Sequence, residues 1–171
     1  HAASVGEVIA SKKLIGEIKK RYPEKKILIS TFTATGNQTA REKLLVDGVI
    51  FLPLDLPFIA SSVIRRIDPS ILIIMETELW PNLIRAAGRK NIPVIIVNGR
   101  ISDSSIKGYM RLKGLLRTIF KNSSLILTQS ETNSERFIKL GADPKMVKST
   151  GNLKFDFIAR KESLSFMKKW G

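Results

Sequence analysis

The chain has 171 residues, 43% of them hydrophobic, which suffices for one compact domain with a sizeable core. It contains no cysteine, and this excludes disulfide frameworks, thiolate zinc sites and cysteine nucleophiles. A formal charge of +14 and a pI near 10.3 favour partners that carry phosphate or carboxylate groups, and no apolar run approaches the roughly 18–20 residues of a membrane span.

Taken in order, residues 1–6 read as a loop that runs straight into a helix, with Val8, Ile15 and Ile18 at helical spacing. No strand precedes that helix, so a first strand is expected to be truncated or to end at His1. Residues 1–30 lack the pattern of a signal peptide. β-Branched runs then recur at 26–30, 49–52, 71–75, 94–97, 125–128 and, less regularly, 146–150. Helical periodicity fills the intervals, as with Ile59, Val63 and Ile67, or Leu83, Ile84 and Ala87. One helix is expected over 107–121, with Lys107, Arg111, Lys113, Arg117 and Lys121 within an arc of roughly 160° and Leu112, Leu115, Leu116 and Ile119 on the other face.

Regular alternation of strand and helix predicts an α/β, Rossmann-like domain: a parallel sheet with helices on both faces, because each parallel crossover needs a dozen or more residues. Ligands of such folds bind at the carboxyl ends of the strands, which directs attention to the loops at 1–7, 31–37, 53–57, 76–81, 98–106 and 129–131. None holds a GxGxxG fingerprint or a P-loop, and the nearest approach is the Thr-rich 31–36, so a nicotinamide dehydrogenase or an NTPase is disfavoured. His1 is the sole histidine, no metal is implied, and no cofactor is expected.

Within those loops, Ser4-Val5-Gly6-Glu7 fits a capping box, in which each side chain satisfies the other residue's backbone donor. It fits equally a carboxylate held at a helix start, ready to take a proton from a substrate hydroxyl. Glu76-Thr77-Glu78-Leu79-Trp80-Pro81-Asn82 leaves an apolar strand and leads into a helix at Pro81. Glu76 and Glu78 would point to opposite sides if the strand continued, one to the cleft and one to a neighbouring loop. Asn98-Gly99-Arg100-Ile101-Ser102 offers amide, guanidinium and hydroxyl donors to an anionic ligand, or is an ordinary Asn-Gly turn with a solvated arginine. The basic 107–121 face is either solvated or rests on anionic lipid headgroups. Aromatic residues make up 7% and are not interleaved with the basic ones, so a single-strand nucleic-acid platform is not evident.

Together, 1–7, Leu52-Pro53-Leu54-Asp55, 75–82, 98–102 and Gly151-Asn152-Leu153-Lys154-Phe155-Asp156 resemble the bacterial transferases of 3-deoxy-D-manno-octulosonic acid (Kdo) in lipopolysaccharide synthesis, in order and spacing over nearly the whole chain. Gly99, where Ala is expected, is the departure from that pattern. The resemblance implies the amino-terminal, acceptor-binding half of a two-domain GT-B enzyme, with 1–156 as this domain and 157–171 as linker and the start of a donor domain that binds CMP-Kdo. It implies inverting transfer to a lipid A precursor with Glu7 as general base. It also implies acceptor-binding or positioning roles for Ser4, Glu78, Asn98 and Arg100, structural support from Glu76, and a parent enzyme at the cytoplasmic face of the inner membrane, against an anionic membrane surface. No nucleic-acid partner is expected. The alternatives are a basic nucleic-acid-binding module, suggested by charge alone, and another GT-B sugar-nucleotide enzyme such as an epimerase.

Overall fold

Helices and parallel strands alternate along the chain in the computed structural model, which describes residues 1–77 and 80–153. The elements are α1 (Val5–Arg21), β1 (Leu28–Thr31), α2 (Ala34–Lys43), β2 (Gly48–Phe51), α3 (Pro57–Ile67), β3 (Leu72–Met75) and α4 (Pro81–Arg89). They continue with β4 (Val94–Gly99), α5 (Asp103–Arg111), α6 (Lys113–Lys121), β5 (Leu125–Thr128), α7 (Glu131–Lys139) and β6 (Val147–Ser149). The linker expected at 157–171 lies outside the described residues, as does the end of the 151–156 segment.

β1 pairs with β2, and β3 to β6 pair in sequence order, every pair parallel. Residues 1–3 fill the slot between the two groups. The N–H of Ala2 donates to Ser30 O, that of Phe32 to Ala3 O and that of Met75 to His1 O, at 2.9, 3.2 and 2.9 Å. Backbone pairing therefore runs across the domain through this bridging segment. Ala2 and Ala3 suit the slot because both are buried and neither demands space from the layers above and below.

Successive strand residues serve opposite faces, as the period of two requires. Ile74, Ile96 and Ile126 pack with α3, α4, α6 and α7 in one core; Met75, Val97 and Ile29 pack with α1 and α2 in the other. Each fully buried isoleucine contributes about 1.5–3 kcal/mol of apolar burial. Helices thus cover both faces, as the alternation predicts.

Three boundaries differ from expectation for identifiable reasons. β1 begins at Leu28 because the N–H of Ile27 is taken by the Asp47 carboxylate at 2.6 Å, and that carboxylate also pairs with Lys19. β6 begins at Val147 because Asp143 caps a 3-10 turn over Pro144–Met146. The single helix expected over 107–121 is broken at Leu112, whose N–H bonds to Tyr109 O three residues back. Gly108 and Gly114 flank the break, and each weakens a helix by about 1 kcal/mol relative to alanine. The break lets Leu116, Ile119 and Phe120 of α6 join the core, whereas α5 has no fully buried residue.

Asp55, in the loop after β2, caps a helix remote in sequence. Its two carboxylate oxygens accept the N–H groups of Asn82 and Leu83, both at 2.9 Å, and its carbonyl accepts from Asn82 Nδ2 at 2.6 Å. These amides at the start of α4 would otherwise lack acceptors. Asp55→Ala is therefore expected to lower stability by about 2 kcal/mol, the upper range for loss of a cap, measured by urea unfolding. Asp55→Asn, which keeps one oxygen, should lose less.

Candidate functional site

Glu7 sits in the first turn of α1 and is 94% buried, since its relative exposure is 6%. One carboxylate oxygen accepts the N–H of Ala3 at 2.9 Å and the other accepts the Ser4 hydroxyl at 2.8 Å. This is a variant of the expected capping box. The Ser4 hydroxyl donates to Glu7 and makes no side-chain cap bond to the helix amides, and the carboxylate reaches past Ser4 to the residue before it. Ser4 accordingly orients the carboxylate and does not line the cleft.

The Thr-rich 31–36 segment braces the same turn. Thr33 Oγ1 donates to Ala3 O at 3.2 Å and caps α2 by accepting from the Gly36 N–H at 3.1 Å. A Cβ on Gly36 would lie 2.8 Å from Thr33 Oγ1 and 3.3 Å from Ala3 O, so glycine is needed for α2 to approach. The segment thus serves packing of the Glu7 turn.

An open cleft of about 280 Å³ lies at the carboxyl ends of the central strands, lined by Glu7, Glu76, Thr77, Arg100, Ser102, Ser105 and Tyr109. Glu76 follows β3 directly and Asn98 is the penultimate residue of β4, and both adopt left-handed backbone, with φ of 57° and 61°. Such residues carry strain of about 1–3 kcal/mol and concentrate at functional sites. Thr77 ties the two loops together: its hydroxyl accepts from Arg100 N at 3.0 Å and donates to Arg100 O. The next residues are held from α7, where Asn133 Oδ1 accepts from Ile101 N at 2.8 Å and Arg136 reaches Ile101 O and the Asp103 carboxylate. The far wall is therefore pinned at five backbone or side-chain points, while the Arg100 side chain is exposed to the cleft.

The structure brings Glu7, Glu76 and Arg100 to one cleft; Glu78 lies outside the described residues. Asn98 is buried, 1% exposed, and its Oδ1 accepts from Leu153 N at 3.1 Å, so it fastens the 151–153 segment to the sheet and does not reach the cleft. Glu76, expected as support, lines the cleft itself. Thr77, Ser105 and Tyr109 were not singled out from sequence. The spacing of Ser102, Ser105 and Tyr109 at i, i+3 and i+7 placed them on one face at the start of a helix. Gly99 faces Phe137: a Cβ there would come within 3.0 Å of the Phe137 ring, which accounts for glycine where alanine was expected.

An apolar hollow under Leu52, Pro53, Ile59, Val63 and Trp80 has no room for a water molecule. Among the described residues no cluster of three or more His, Asp or Glu side chains could hold a metal ion, and no helix is long and apolar enough to cross a membrane.

Where residue 1 carries a free amino group, that group donates to Ile73 O at 2.6 Å, and burial lowers its pKa from 8.0 to about 6, against a smaller opposing pull from Glu7. Folding therefore favours the neutral amine. The corresponding stability is fully present above pH 8 and is lost as pH falls through 6, a change of roughly 3 kcal/mol. With a free amino group at residue 1, the chain is expected to unfold at lower urea at pH 5.5 than at pH 8.5. Acetylating that amine should remove this component of the pH dependence.

The chain resembles known proteins in two ways. The sequence pattern of a family described as 3-deoxy-D-manno-octulosonic-acid transferase (kdotransferase) matches residues 1–157. The chain is 40% identical over 166 residues to a 3-deoxy-D-manno-octulosonic acid transferase of Haemophilus influenzae, covering 96% of this chain and 39% of that protein. It is 41% identical over 168 residues to a bifunctional glycosyltransferase/methyltransferase of Fusobacterium nucleatum, covering 95% of this chain and 26% of that protein. The chain thus spans well under half the length of these relatives. In fold it is similar to the UDP-GlcNAc 2-epimerase of Neisseria meningitidis bound to UDP-GlcNAc, with a TM-score of 0.66 at 16% identity, covering 98% of this chain and 51% of that one. The corresponding epimerase of Rickettsia bellii gives a TM-score of 0.64 at 15% identity, covering 98% and 46%.

Proposed function

This chain belongs to the 3-deoxy-D-manno-octulosonic-acid transferase family, and from that membership and the cleft around Glu7 we propose that it forms the acceptor side of an inverting Kdo transferase. The acceptor is a lipid A precursor at an anionic membrane surface, on the cytoplasmic face of the inner membrane, and the donor, CMP-Kdo, is held by a second domain. The observation that carries the reading is a buried carboxylate in a cleft at the strand ends, fixed by two hydrogen bonds.

In this reading the acceptor hydroxyl attacks the anomeric carbon of Kdo, its proton passes to Glu7, and the bond to CMP breaks with inversion at that carbon. One base suffices for such a displacement. The bonds from Ala3 N–H and Ser4 Oγ stabilise the ionised carboxylate and lock its rotamer, so that it meets the hydroxyl without searching. Opposite, Arg100 with the Ser102 and Ser105 hydroxyls receives an anionic group of the acceptor. Glu76 shares the cleft with Glu7 and shapes it through its left-handed backbone, while Ser4 and Asn98 act as positioning residues. Glu78 is assigned by the family pattern alone to acceptor contact or loop positioning.

The test is transfer of labelled Kdo from CMP-Kdo to a lipid A precursor by the full-length enzyme, comparing wild type with Glu7→Gln. The variant is expected to lose at least about 10²-fold in turnover, the size of a general-base contribution, with its melting temperature checked for folding. Equal rates would reduce Glu7 to a cap. Epimerised sugar nucleotide in place of transferred Kdo would favour the epimerase alternative, and tight salt-dependent nucleic-acid binding without transfer would favour the nucleic-acid alternative.

A further inference from the structure

The carboxyl end of β4 is irregular. Ile96 pairs with Ile126 and Gly99 with Thr128, so β4 takes one residue more than β5 over the same stretch, a bulge that re-aims the side chain of Asn98. That side chain is buried; its Oδ1 accepts from Leu153 N at 3.1 Å, and its Nδ2 has no partner among the described residues. The bond to Leu153 is thus the one tie of a buried amide. Were residue 153 to move alone, both polar ends of Asn98 would be left unsatisfied, which is costly in a protein interior. The left-handed backbone of Asn98 adds to this, since such a conformation persists only where the surroundings hold it.

The two sides of this tie lead to different places. On one side, Thr150 N–H still bonds to Thr128 O at 3.0 Å, and Gly151 then takes a φ of 84° with nothing among the described residues near the position of a Cβ. Beyond that open turn, the bond from Leu153 to Asn98 sets the course of the chain. On the other side, Asn98 stands two residues before Arg100, which lines the cleft and whose backbone Thr77 clasps. We propose that Asn98 is a positioning residue that couples the two substrate sites, tying the segment that leads toward the donor domain to the Arg100 wall of the acceptor cleft. This rests on the reading of a donor held by a second domain. A donor-loaded domain that holds residue 153 in place holds the turn at Asn98, and with it Arg100, before the acceptor arrives. Acceptor binding is then stronger because less remains to be ordered.

Asn98→Gly cuts the tie and keeps the left-handed backbone, which glycine adopts freely. In the full-length enzyme, binding of a lipid A precursor is measured with and without saturating CMP, the unreactive nucleotide of the donor. Wild type is expected to bind the acceptor about 10-fold tighter with CMP, and Asn98→Gly to show less than about a 2-fold difference while still binding CMP. Ile64→Val, which thins the core beneath α3 and lowers the melting temperature, should keep the coupling. Equal coupling in wild type and Asn98→Gly would overturn the proposal, as would its equal loss in Ile64→Val or its absence from a wild type that binds both ligands. A measurement on wild type alone needs no variant to fold: on adding CMP, amide exchange should slow at Leu153, Arg100 and Ile101 together, and slowing at Leu153 alone would count against the tie. Exchange in the chain as it stands separates this failure from failure of the functional reading. There Asn98→Gly should speed exchange at Arg100 and Ile101 as well as at Leu153, by about 10-fold, and Ile64→Val should not. If wild-type enzyme binds neither ligand, the functional reading falls, and acceleration confined to Leu153 still shows that the tie does not reach Arg100.

Discussion

Everything about the site depends on the backbone pairing of residues 1–3 between β1 and β3. Ser30, Phe32, Ile73 and Met75 all bond to this short segment, so its direction and height in the sheet are set from both sides. α1 must then start where the segment ends, at the carboxyl rim, and Glu7 falls in its first turn. That turn bends the carboxylate back onto Ala3 N–H and Ser4 Oγ, just ahead of the helix, where a backbone amide and a hydroxyl await an acceptor. A single arrangement can thus serve both a helix start and the proposed proton transfer, so the two readings of Ser4 and Glu7 from sequence are not exclusive.

The opposite wall is built by a different device. The residue after β3 and the penultimate residue of β4, Glu76 and Asn98, are left-handed without being glycine, and the strain is held by specific ties. Thr77 clasps the Arg100 backbone, Gln129 donates to Asn98 O at 3.1 Å, and Asn133 and Arg136 fix Ile101 and Asp103. The cleft between a pinned carboxylate and a pinned cationic wall is preorganised. Its lining combines the carboxylates of Glu7 and Glu76 with the Arg100 guanidinium, which in the proposed reading suits an acceptor that presents both a hydroxyl and an anionic group.

Much of this was legible in the sequence because it depends on local pattern. The β-branched runs placed the strands to within a few residues, and the α/β alternation fixed the parallel, doubly covered sheet. Glu7 was singled out by a pattern that fits a helix cap as well as a base, and the family resemblance, not the pattern, assigned it the base. What escaped depended on contacts distant along the chain. Asp55 is spent on α4, 27 residues onward, a bond that no periodicity reveals. The same holds for the Asp47 bond that shortens β1 and for the Phe137 ring that leaves no room for a Cβ on Gly99. The break at Leu112 was masked by a run of cations and leucines whose helical period is continuous, although Gly108 and Gly114 marked it in advance.

The central claim is that the reacting hydroxyl of the acceptor meets Glu7. The most direct measurement is a crystal structure of the full-length enzyme with a lipid A precursor analogue bound. The account predicts an acceptor hydroxyl oxygen within about 2.6–3.2 Å of a Glu7 carboxylate oxygen, with an anionic group of the acceptor at Arg100. An acceptor hydroxyl held by another base, with Glu7 still bonded to Ala3 and Ser4 and remote from the sugar, would contradict it.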